Sequence, residues 1–320
     1  MSSVTIGLGP KLDPRKFRDP DYTARGEPRA EVPLGELQTV WFNTGTLCNL
    51  KCENCYIESS PKNDRLVYLS ASEVDGFLRE ATNSQLGTTE IGFTGGEPFM
   101  NPDLINMLEN VLSRGFEALV LTNGMRPLMK CSEALLSLYP REKCKFRISL
   151  DHFTQIGHER IRGKNTWEPA LRGLKWLCEQ GFQVSVASRT CWTHSEDIMR
   201  TGFEALFFNE KIAIDASNPA KLVLFPEMDD QVDVPEITES CWNVLGISPS
   251  ELMCSSSRVV LKRKGASSPV VSPCTLLPYE KAYDFGSTLA SAQHSVKLNH
   301  PHCSKFCVLG GASCSSNSNV

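Results

Sequence analysis

Three cysteines stand close together in the first fifth of the chain and could bind a metal. Cys48, Cys52 and Cys55 form a C-x3-C-x2-C motif. Thiolates are soft ligands, and three of them on one short loop are typical of an iron–sulfur cluster or a zinc site. A structural zinc site normally has four ligands, but no histidine occurs between Cys55 and His152. Three ligands on a four-iron cubane would leave one iron open to another molecule, and that open iron would be the functional point.

A second motif that could do chemistry is the segment Gly95-Gly96-Glu97-Pro98, which follows a predicted strand. Two adjacent glycines let the backbone approach a ligand closely, and a carboxylate beside them suits an amino group. The same residues are also typical of a tight turn before a helix. Both interpretations stay open at this point.

A further group of cysteines lies near the end of the chain. It consists of Cys254, Cys274, Cys303, Cys307 and Cys314. Residues 259–263 and 270–272 predict the strands of a hairpin, with Cys254 before it and Cys274 after it. Because antiparallel strands return the chain to its starting end, these two thiols should lie close together. With the later cysteines they could hold a second cluster or a zinc ion, and unligated thiols are the third interpretation.

Composition narrows the class of protein. The chain has 13 cysteines in 320 residues but no apolar N-terminal run like a secretory signal, so a secreted disulfide scaffold is disfavoured. With 33 Lys and Arg against 37 Asp and Glu, its net charge of −4 argues against nucleic-acid binding. No apolar stretch is long enough for a membrane helix, and we expect a cytoplasmic protein without a membrane partner. Five further cysteines are expected to be buried apolar thiols: Cys131, Cys144, Cys178, Cys191 and Cys241.

Apolar, β-branched runs recur along the chain and predict strands. The runs are Leu37–Phe42, Thr89–Phe93, Ala118–Leu121, Phe146–Leu150, Phe182–Val186 and Leu222–Phe225. Between most of them lie helix patterns, one of which opens with a capping box at Ser70 and Glu73. Another opens at Pro102, and a third runs from Trp167 and ends before Gly181. This alternation is typical of a parallel α/β sheet, either closed as a barrel or open and doubly wound. Both place their chemistry at the carboxyl ends of the strands.

The two motifs, taken together, resemble the radical S-adenosylmethionine (radical SAM) superfamily. CNLKCENCY follows one predicted strand and TGGEP follows the next. Three further stretches match in position: residues 121–124 (LTNG), 148–151 (ISLD) and 158–168. The resemblance covers about residues 37–226 and implies a partial (βα)6 barrel of the TIM type. One departure is Asn54, where the family often carries an aromatic residue.

The resemblance also implies cofactors and their ligands. A 4Fe–4S cluster would be held by Cys48, Cys52 and Cys55, and S-adenosylmethionine (SAM) would bind the fourth iron through its amino and carboxylate groups. The residues implied to contact SAM are Tyr56, Gly95, Gly96, Glu97, Ser149 and Arg162. The Gly-Gly-Glu segment would face the methionyl amino group. Ser149 and Arg162 would lie near the ribose and carboxylate.

The later cysteines are similar to the SPASM and twitch extensions of radical SAM enzymes, which carry auxiliary 4Fe–4S clusters. Because the group has five cysteines, we expect one auxiliary cluster rather than two. The predicted organisation is an N-terminal arm (1–36), the partial barrel (37–226), a linker (227–253) and a small C-terminal Cys-rich hairpin domain (254–320). The acidic, Pro-bearing composition of residues 226–240 suits a connector.

The expected function is therefore reductive cleavage of SAM to a 5′-deoxyadenosyl radical, which abstracts hydrogen from a substrate. A peptide or protein is the first substrate hypothesis and a small metabolite is the alternative. The electron donor would be a flavodoxin or a ferredoxin. Two rival hypotheses are an iron–sulfur electron-transfer protein that never cleaves SAM and a scaffold stabilised by zinc. No acid or base is assigned by any motif.

Overall fold

The predicted alternation of strands and helices is present in the computed structural model, which describes residues 10–84, 86–190, 194–227 and 229–311. The first strand, β1 (Glu31–Val32), belongs to the N-terminal arm. The next six are β2 (Thr39–Asn43), β3 (Glu90–Thr94), β4 (Glu117–Thr122), β5 (Cys144–Ser149), β6 (Gln183–Arg189) and β7 (Leu222–Phe225). The last three are β8 (Ser257–Leu261), β9 (Val270–Ser272) and β10 (Val296–Lys297). The six strands expected between residues 37 and 226 are confirmed.

The main sheet has eight strands in the order β7-β6-β5-β4-β3-β2-β8-β9. All neighbours from β7 to β8 are parallel, and only β8 and β9 are antiparallel. The carboxyl ends of the parallel strands therefore meet along one edge, where the functional loops begin.

Eight α-helices lie along the described part of the chain. They are α1 (Ala71–Asn83), α2 (Leu104–Ser113), α3 (Arg126–Lys130), α4 (Ser132–Leu136), α5 (Gln155–Arg162), α6 (Trp167–Glu179), α7 (Glu196–Glu210) and α8 (Cys241–Leu245). The predicted capping box of α1 is confirmed, since Ser70 accepts from the Glu73 amide and Glu73 binds back to the Ser70 amide. At α2 the N-cap residue is Asp103, but its carboxylate accepts the Ala71 amide at 2.9 Å and so connects the two helices.

The sheet is buried on both faces, as the apolar strand sequences require. Along β2, Val40 and Phe42 pack into the core beneath the helices, while Trp41 between them packs into a second apolar cluster. The second cluster contains the side chains of Cys254 and Cys303. Because side chains alternate between the two faces of a strand, β2 packs against the main core on one face and against the C-terminal region on the other.

The C-terminal hairpin is continuous with the sheet. Strand β8 pairs with β2 in parallel, with Thr39 opposite Ser257, and β9 folds back on β8. The predicted hairpin is confirmed. Strand β1 of the N-terminal arm pairs with β10, and the buried Arg29 donates to the Glu236 carboxylate at 2.6 Å. Residues 29–32 are therefore packed against the C-terminal region.

None of the helices in the described ranges has the length and apolar character needed to cross a membrane.

Candidate functional site

A large cavity opens where the parallel strands end. Its total empty volume is about 1010 Å³, including the part that opens to solvent. The loops after β2 to β5 and the carboxyl ends of β6 and β7 contribute to its wall, because all these strands end at the same edge of the sheet. This is the position that the sequence predicts for the chemistry.

All three cysteines of the C-x3-C-x2-C motif line this cavity. Their loop is held from two sides. The Arg189 guanidinium donates to the carbonyl oxygens of Glu53 at 2.9 Å and Asn54 at 3.3 Å. The Asn54 side chain donates to the Glu227 carboxylate at 2.6 Å, and Asn54 itself has a positive φ of 51°. These bonds fix the backbone between the second and third cysteines.

Burial makes a free thiolate costly at two of the three positions. It raises the pKa of Cys48 to about 12, against a partly opposing hydrogen bond from the Leu50 amide. Burial also raises the pKa of Cys52, although the charge of Arg162 opposes it. A positively charged metal would supply the compensation that these thiols need in order to ionise.

The paired glycines are required by a close approach of two loops. A Cβ atom on Gly96 would lie 2.2 Å from the Leu47 carbonyl oxygen, and one on Gly95 would lie 2.5 Å from the Gly45 carbonyl oxygen. Gly95 also has a positive φ of 138°. Both glycines line the cavity beside the cysteine loop. Any side chain here would push the two loops apart.

Glu97 lies behind the cavity wall rather than on it. Its buried carboxylate accepts from the Thr122 hydroxyl at 2.7 Å, the Asn123 amide at 2.9 Å and the Phe99 amide at 3.2 Å. Burial raises its pKa, and these hydrogen bonds oppose the shift. In this structure Glu97 therefore joins the end of β3 to the end of β4.

An ion-pair cluster forms another part of the cavity wall. Asp151 follows β5, is buried, and accepts from Arg162 at 2.8 Å, while Arg189 lies 3.5 Å away. Burial disfavours the Asp151 carboxylate most strongly, but the two guanidinium groups hold its pKa below the ordinary value. Of the other residues expected to contact SAM, Ser149 and Tyr56 line the cavity with Arg162.

Several cavity residues were absent from the sequence-based assignment. Asn123 donates to the Asn49 side chain at 2.9 Å and so connects β4 to the cysteine loop. Arg147, within β5, is buried yet lines the cavity, and Ser188 has a buried hydroxyl without a hydrogen-bond partner among the described residues. The sequence did indicate Arg147, because it is a charged residue within an otherwise apolar predicted strand. Nothing comparable marked Ser188.

The later cysteines gather around a second, smaller cavity of about 300 Å³. Cys254, Cys274, Cys303 and Cys307 all line it, among apolar side chains. The expectation that Cys254 and Cys274 lie at one end of the hairpin is confirmed. Cys303 and Cys307 come from a π-helical turn, Cys303–Val308. The fifth predicted ligand, Cys314, lies outside the described residues.

Cys254, Cys274 and Cys303 are buried and Cys307 is half-buried, all among apolar side chains. Burial raises the pKa of Cys254 to about 11 and that of Cys303 well above its ordinary value. The nearby cation Arg258 opposes the shift at Cys254. Four soft donors converging on one enclosed site suit an iron–sulfur cluster or a tetrahedral metal ion.

One partition separates the two cavities. Leu276 and Phe306 line the first cavity, whereas their neighbours Leu277 and Cys307 line the second. Phe306 also packs against Phe225, with ring centroids 5.3 Å apart, and Phe225 lines the first cavity. The side of the first cavity nearest the four cysteines is therefore apolar.

The remaining cysteines of the described ranges line neither cavity. Cys144 is buried in β5, and burial raises its pKa to about 12. Cys131 and Cys178 pack against the main core, and Cys241 packs against the second cluster of apolar side chains. Cys191 lies outside the described residues.

Within the described ranges, no three His, Cys, Asp or Glu side chains are arranged so that they could hold a single metal ion. The ligands of a cubane bind separate corners and need not touch one another. The chemistry of the residues fits such a group, since two cavities are lined by three and by four thiols.

Comparison with known proteins shows what the chain resembles. Residues 42–195 match the family model of the radical SAM superfamily. The matched stretch makes up 154 of the 320 residues of the chain. The fold agrees, because the chain superposes on Streptococcus suis SuiB bound to precursor peptide SuiA with a TM-score of 0.59. That match covers 83% of this chain and 66% of SuiB at 13% sequence identity, so it concerns the fold alone.

Two curated relatives each match less than half of the chain. Over 144 residues the chain is 35% identical to the antilisterial bacteriocin subtilosin biosynthesis protein AlbA of Bacillus subtilis. Over 138 residues it is 29% identical to GTP 3′,8-cyclase of Shewanella denitrificans. The matches cover 44% and 42% of this chain, but only 30% and 39% of the two relatives.

Proposed function

We propose that the protein is a radical SAM enzyme that cleaves SAM reductively and abstracts hydrogen from a substrate. One observation carries the proposal. The three cysteines of the motif and the paired glycines line a single cavity at the carboxyl ends of the parallel strands. When bound there, the cluster and SAM supply a 5′-deoxyadenosyl radical, and the chemistry is that of the cofactors.

The chain's own residues hold and orient these groups. Cys48, Cys52 and Cys55 are the proposed cluster ligands. The Arg162 guanidinium, held by Asp151, is a fixed positive charge on the cavity wall and suits the carboxylate of SAM. The other proposed contacts of SAM are Ser149, Tyr56 and the Gly95–Gly96 backbone. Glu97 supports this group by fixing the loop after β3, and its carboxylate is already occupied by three donors.

The four cysteines of the second cavity are the proposed ligands of one auxiliary 4Fe–4S cluster. The support is their convergence on one buried, apolar site from the hairpin and from the π-helical turn. A full set of four thiolates would leave no open iron. Such a centre suits electron transfer or structural support rather than direct binding of a substrate.

The substrate is proposed to be a peptide or a protein. The apolar partition formed by Leu276, Phe306 and Phe225 suits an apolar side chain at the reacting position. The 35% identity to AlbA, a bacteriocin biosynthesis protein, supports this choice. A small metabolite is the alternative, because GTP 3′,8-cyclase is also among the relatives. A flavodoxin or ferredoxin is the proposed electron donor.

The decisive experiment measures 5′-deoxyadenosine. The anaerobic protein, reconstituted with iron and sulfide, is mixed with SAM and dithionite. We expect 5′-deoxyadenosine from the wild type and only background from Cys48→Ala. A matched control is Cys178→Ala, which removes a thiol far from both cavities and should retain activity. Equal yields from the wild type and Cys48→Ala would refute the proposal.

A second measurement separates SAM cleavage from simple electron transfer. SAM added to the reduced protein should change the electron paramagnetic resonance (EPR) signal of the first cluster, because SAM would bind its open iron. An electron-transfer protein that does not bind SAM would give an unchanged signal. A zinc scaffold would contain no iron or sulfide after reconstitution.

The auxiliary cluster is tested by metal analysis. In the Cys254→Ala/Cys274→Ala double variant, we expect the iron content to fall by about four atoms per chain, one cubane. Cys131→Ala/Cys178→Ala is the matched control with two thiols removed elsewhere. An unchanged iron content in the first double variant would reject the auxiliary cluster while leaving the SAM site in place.

A further inference from the structure

A fully buried arginine lies beside the four-cysteine cavity. Arg258, on β8, is 0% exposed, and its guanidinium donates to the Cys254 carbonyl oxygen at 2.6 Å. It also donates to the carbonyl oxygens of Ser257, Ala292 and His294 at 2.7–2.8 Å. Every one of these partners is a neutral carbonyl group.

Arg258 forms no ion pair with a carboxylate of the described residues, which are 10–84, 86–190, 194–227 and 229–311. Two other arginines with largely buried side chains differ. Arg29 pairs with Glu236 at 2.6 Å, and Arg162 pairs with Asp151 at 2.8 Å. An unpaired buried cation is strongly unfavourable unless a negative charge lies nearby.

The groups that can supply this negative charge are the cysteines themselves. The charge of Arg258 acts on the thiols of Cys254 and Cys274, which both line the second cavity. A cluster bound by four thiolates carries a net negative charge, and reduction by one electron makes that charge more negative. A fixed cation beside the cluster therefore stabilises the reduced form more than the oxidised form.

We propose that Arg258 is a built-in counter-cation for the four-cysteine centre and raises the reduction potential of the cluster bound there. The inference rests on the proposed function, since it requires a cluster at these cysteines. Arg258 is a positioning residue in this role. It touches the backbone of Cys254, and the rigid carbonyl bonds keep its charge beside the site without solvent.

The test measures the midpoint potential of the auxiliary cluster alone. Cys48, Cys52 and Cys55 are all replaced by alanine, so that only the second centre is loaded. An EPR-monitored redox titration then compares Arg258 with Arg258→Gln, which removes the charge, and with Arg258→Lys, which retains it. A unit charge about 10 Å away at an effective dielectric constant of about 20 changes such an equilibrium about tenfold. We therefore expect Arg258→Gln to lower the reduction equilibrium constant about tenfold, or about 59 mV.

A second pair of variants leaves Arg258 and its carbonyl bonds in place. The guanidinium carbon lies 5.5 Å from the centroid of the half-buried Phe285 ring. Phe285→Glu would give the cation a carboxylate partner and should lower the potential, whereas Phe285→Gln should not. This pair keeps the proposal falsifiable if Arg258→Gln fails to fold. Ser257→Ala, which removes a buried hydrogen bond to the Met253 carbonyl oxygen, controls for local disruption.

Each outcome bears on the proposal. A lower potential in Arg258→Gln and Phe285→Glu, with Arg258→Lys, Phe285→Gln and Ser257→Ala near the wild-type value, supports it. Equal potentials in the charged and neutral variants overturn it while leaving the auxiliary cluster intact. A protein that binds no iron at the four cysteines, or binds only zinc, overturns this inference together with the auxiliary-cluster proposal.

Discussion

Asp151→Asn should lower the free energy of unfolding, because it removes the central carboxylate of the ion-pair cluster on the cavity wall. The carboxylate lies between two guanidinium groups, with the side chain of Asp151 only 3% exposed and those of Arg162 and Arg189 11% and 15% exposed. Breaking a buried ion pair by removing one partner costs about 3–5 kcal/mol, because the remaining charge is left buried. Asparagine keeps one oxygen acceptor, so we expect a loss of about 3 kcal/mol in the free energy of unfolding.

The assay is urea denaturation of the cluster-free protein, extrapolated to water. The matched control is Glu196→Gln, which removes a carboxylate that is 63% exposed and pairs with Arg200 at 2.7 Å. Exposed pairs contribute about 0–1 kcal/mol, so this variant should remain close to the wild type. A free energy of unfolding for Asp151→Asn within about 1 kcal/mol of the wild type would refute the reasoning.

The pH dependence gives an independent check on the same carboxylate. The pKa of Asp151 is held below its ordinary value, despite burial, by Arg162 and Arg189. A carboxyl with a lowered folded-state pKa stabilises the protein above its unfolded-state pKa, and this contribution is lost as the pH falls through the folded-state value. The difference between wild type and Asp151→Asn should therefore be constant near neutral pH and shrink below about pH 4. A difference that grows in acid would contradict the sign.

Two further predictions concern the cysteine loop. Gly96→Ala should lower the free energy of unfolding by about 2–3 kcal/mol and reduce bound iron, because its Cβ atom would overlap a backbone oxygen. Gly76→Ala, in an open position on α1, should instead stabilise the protein by about 0.5–1 kcal/mol, and equal effects of the two substitutions would contradict the packing argument. Since the pKa of Cys48 is about 12, Co²⁺ binding must displace its proton at any pH from 6 to 8, and affinity should rise with pH. Cys48→Ser should flatten the slope of log affinity against pH by about one, and an unchanged slope would exclude Cys48 as a ligand.

The local parts of the fold were predictable because their signals lie in short segments. The capping box at Ser70 and the alternation of strands and helices depend on residues close in sequence, and both are confirmed. The meeting of Cys254 and Cys274 followed from hairpin geometry alone. By contrast, the parallel pairing of β8 with β2 joins residues more than 200 positions apart, and no local pattern encodes that register.

The same limit applies to the site. Glu97 was expected to face SAM, and its role there stays a prediction. The sequence could not reveal that Thr122 and Asn123, from the next strand, already bind its carboxylate. Asp151 stood in a matching stretch but had no assigned role, because its partners Arg162 and Arg189 come from a helix and a different strand. Ion pairs between residues of different elements can be identified only when the pairing of the strands is known.

The partition between the two cavities constrains how this chain can change. Leu276 and Leu277 face opposite chambers, as do Phe306 and Cys307, although the members of each pair are consecutive residues. Inserting or deleting a single residue before Phe306 would turn the thiol toward the larger chamber and the apolar ring toward the sulfur atoms, and the same change before Leu276 would shift the residue that faces each chamber. Point substitutions can adjust one chamber at a time, but any variation in length here must alter both.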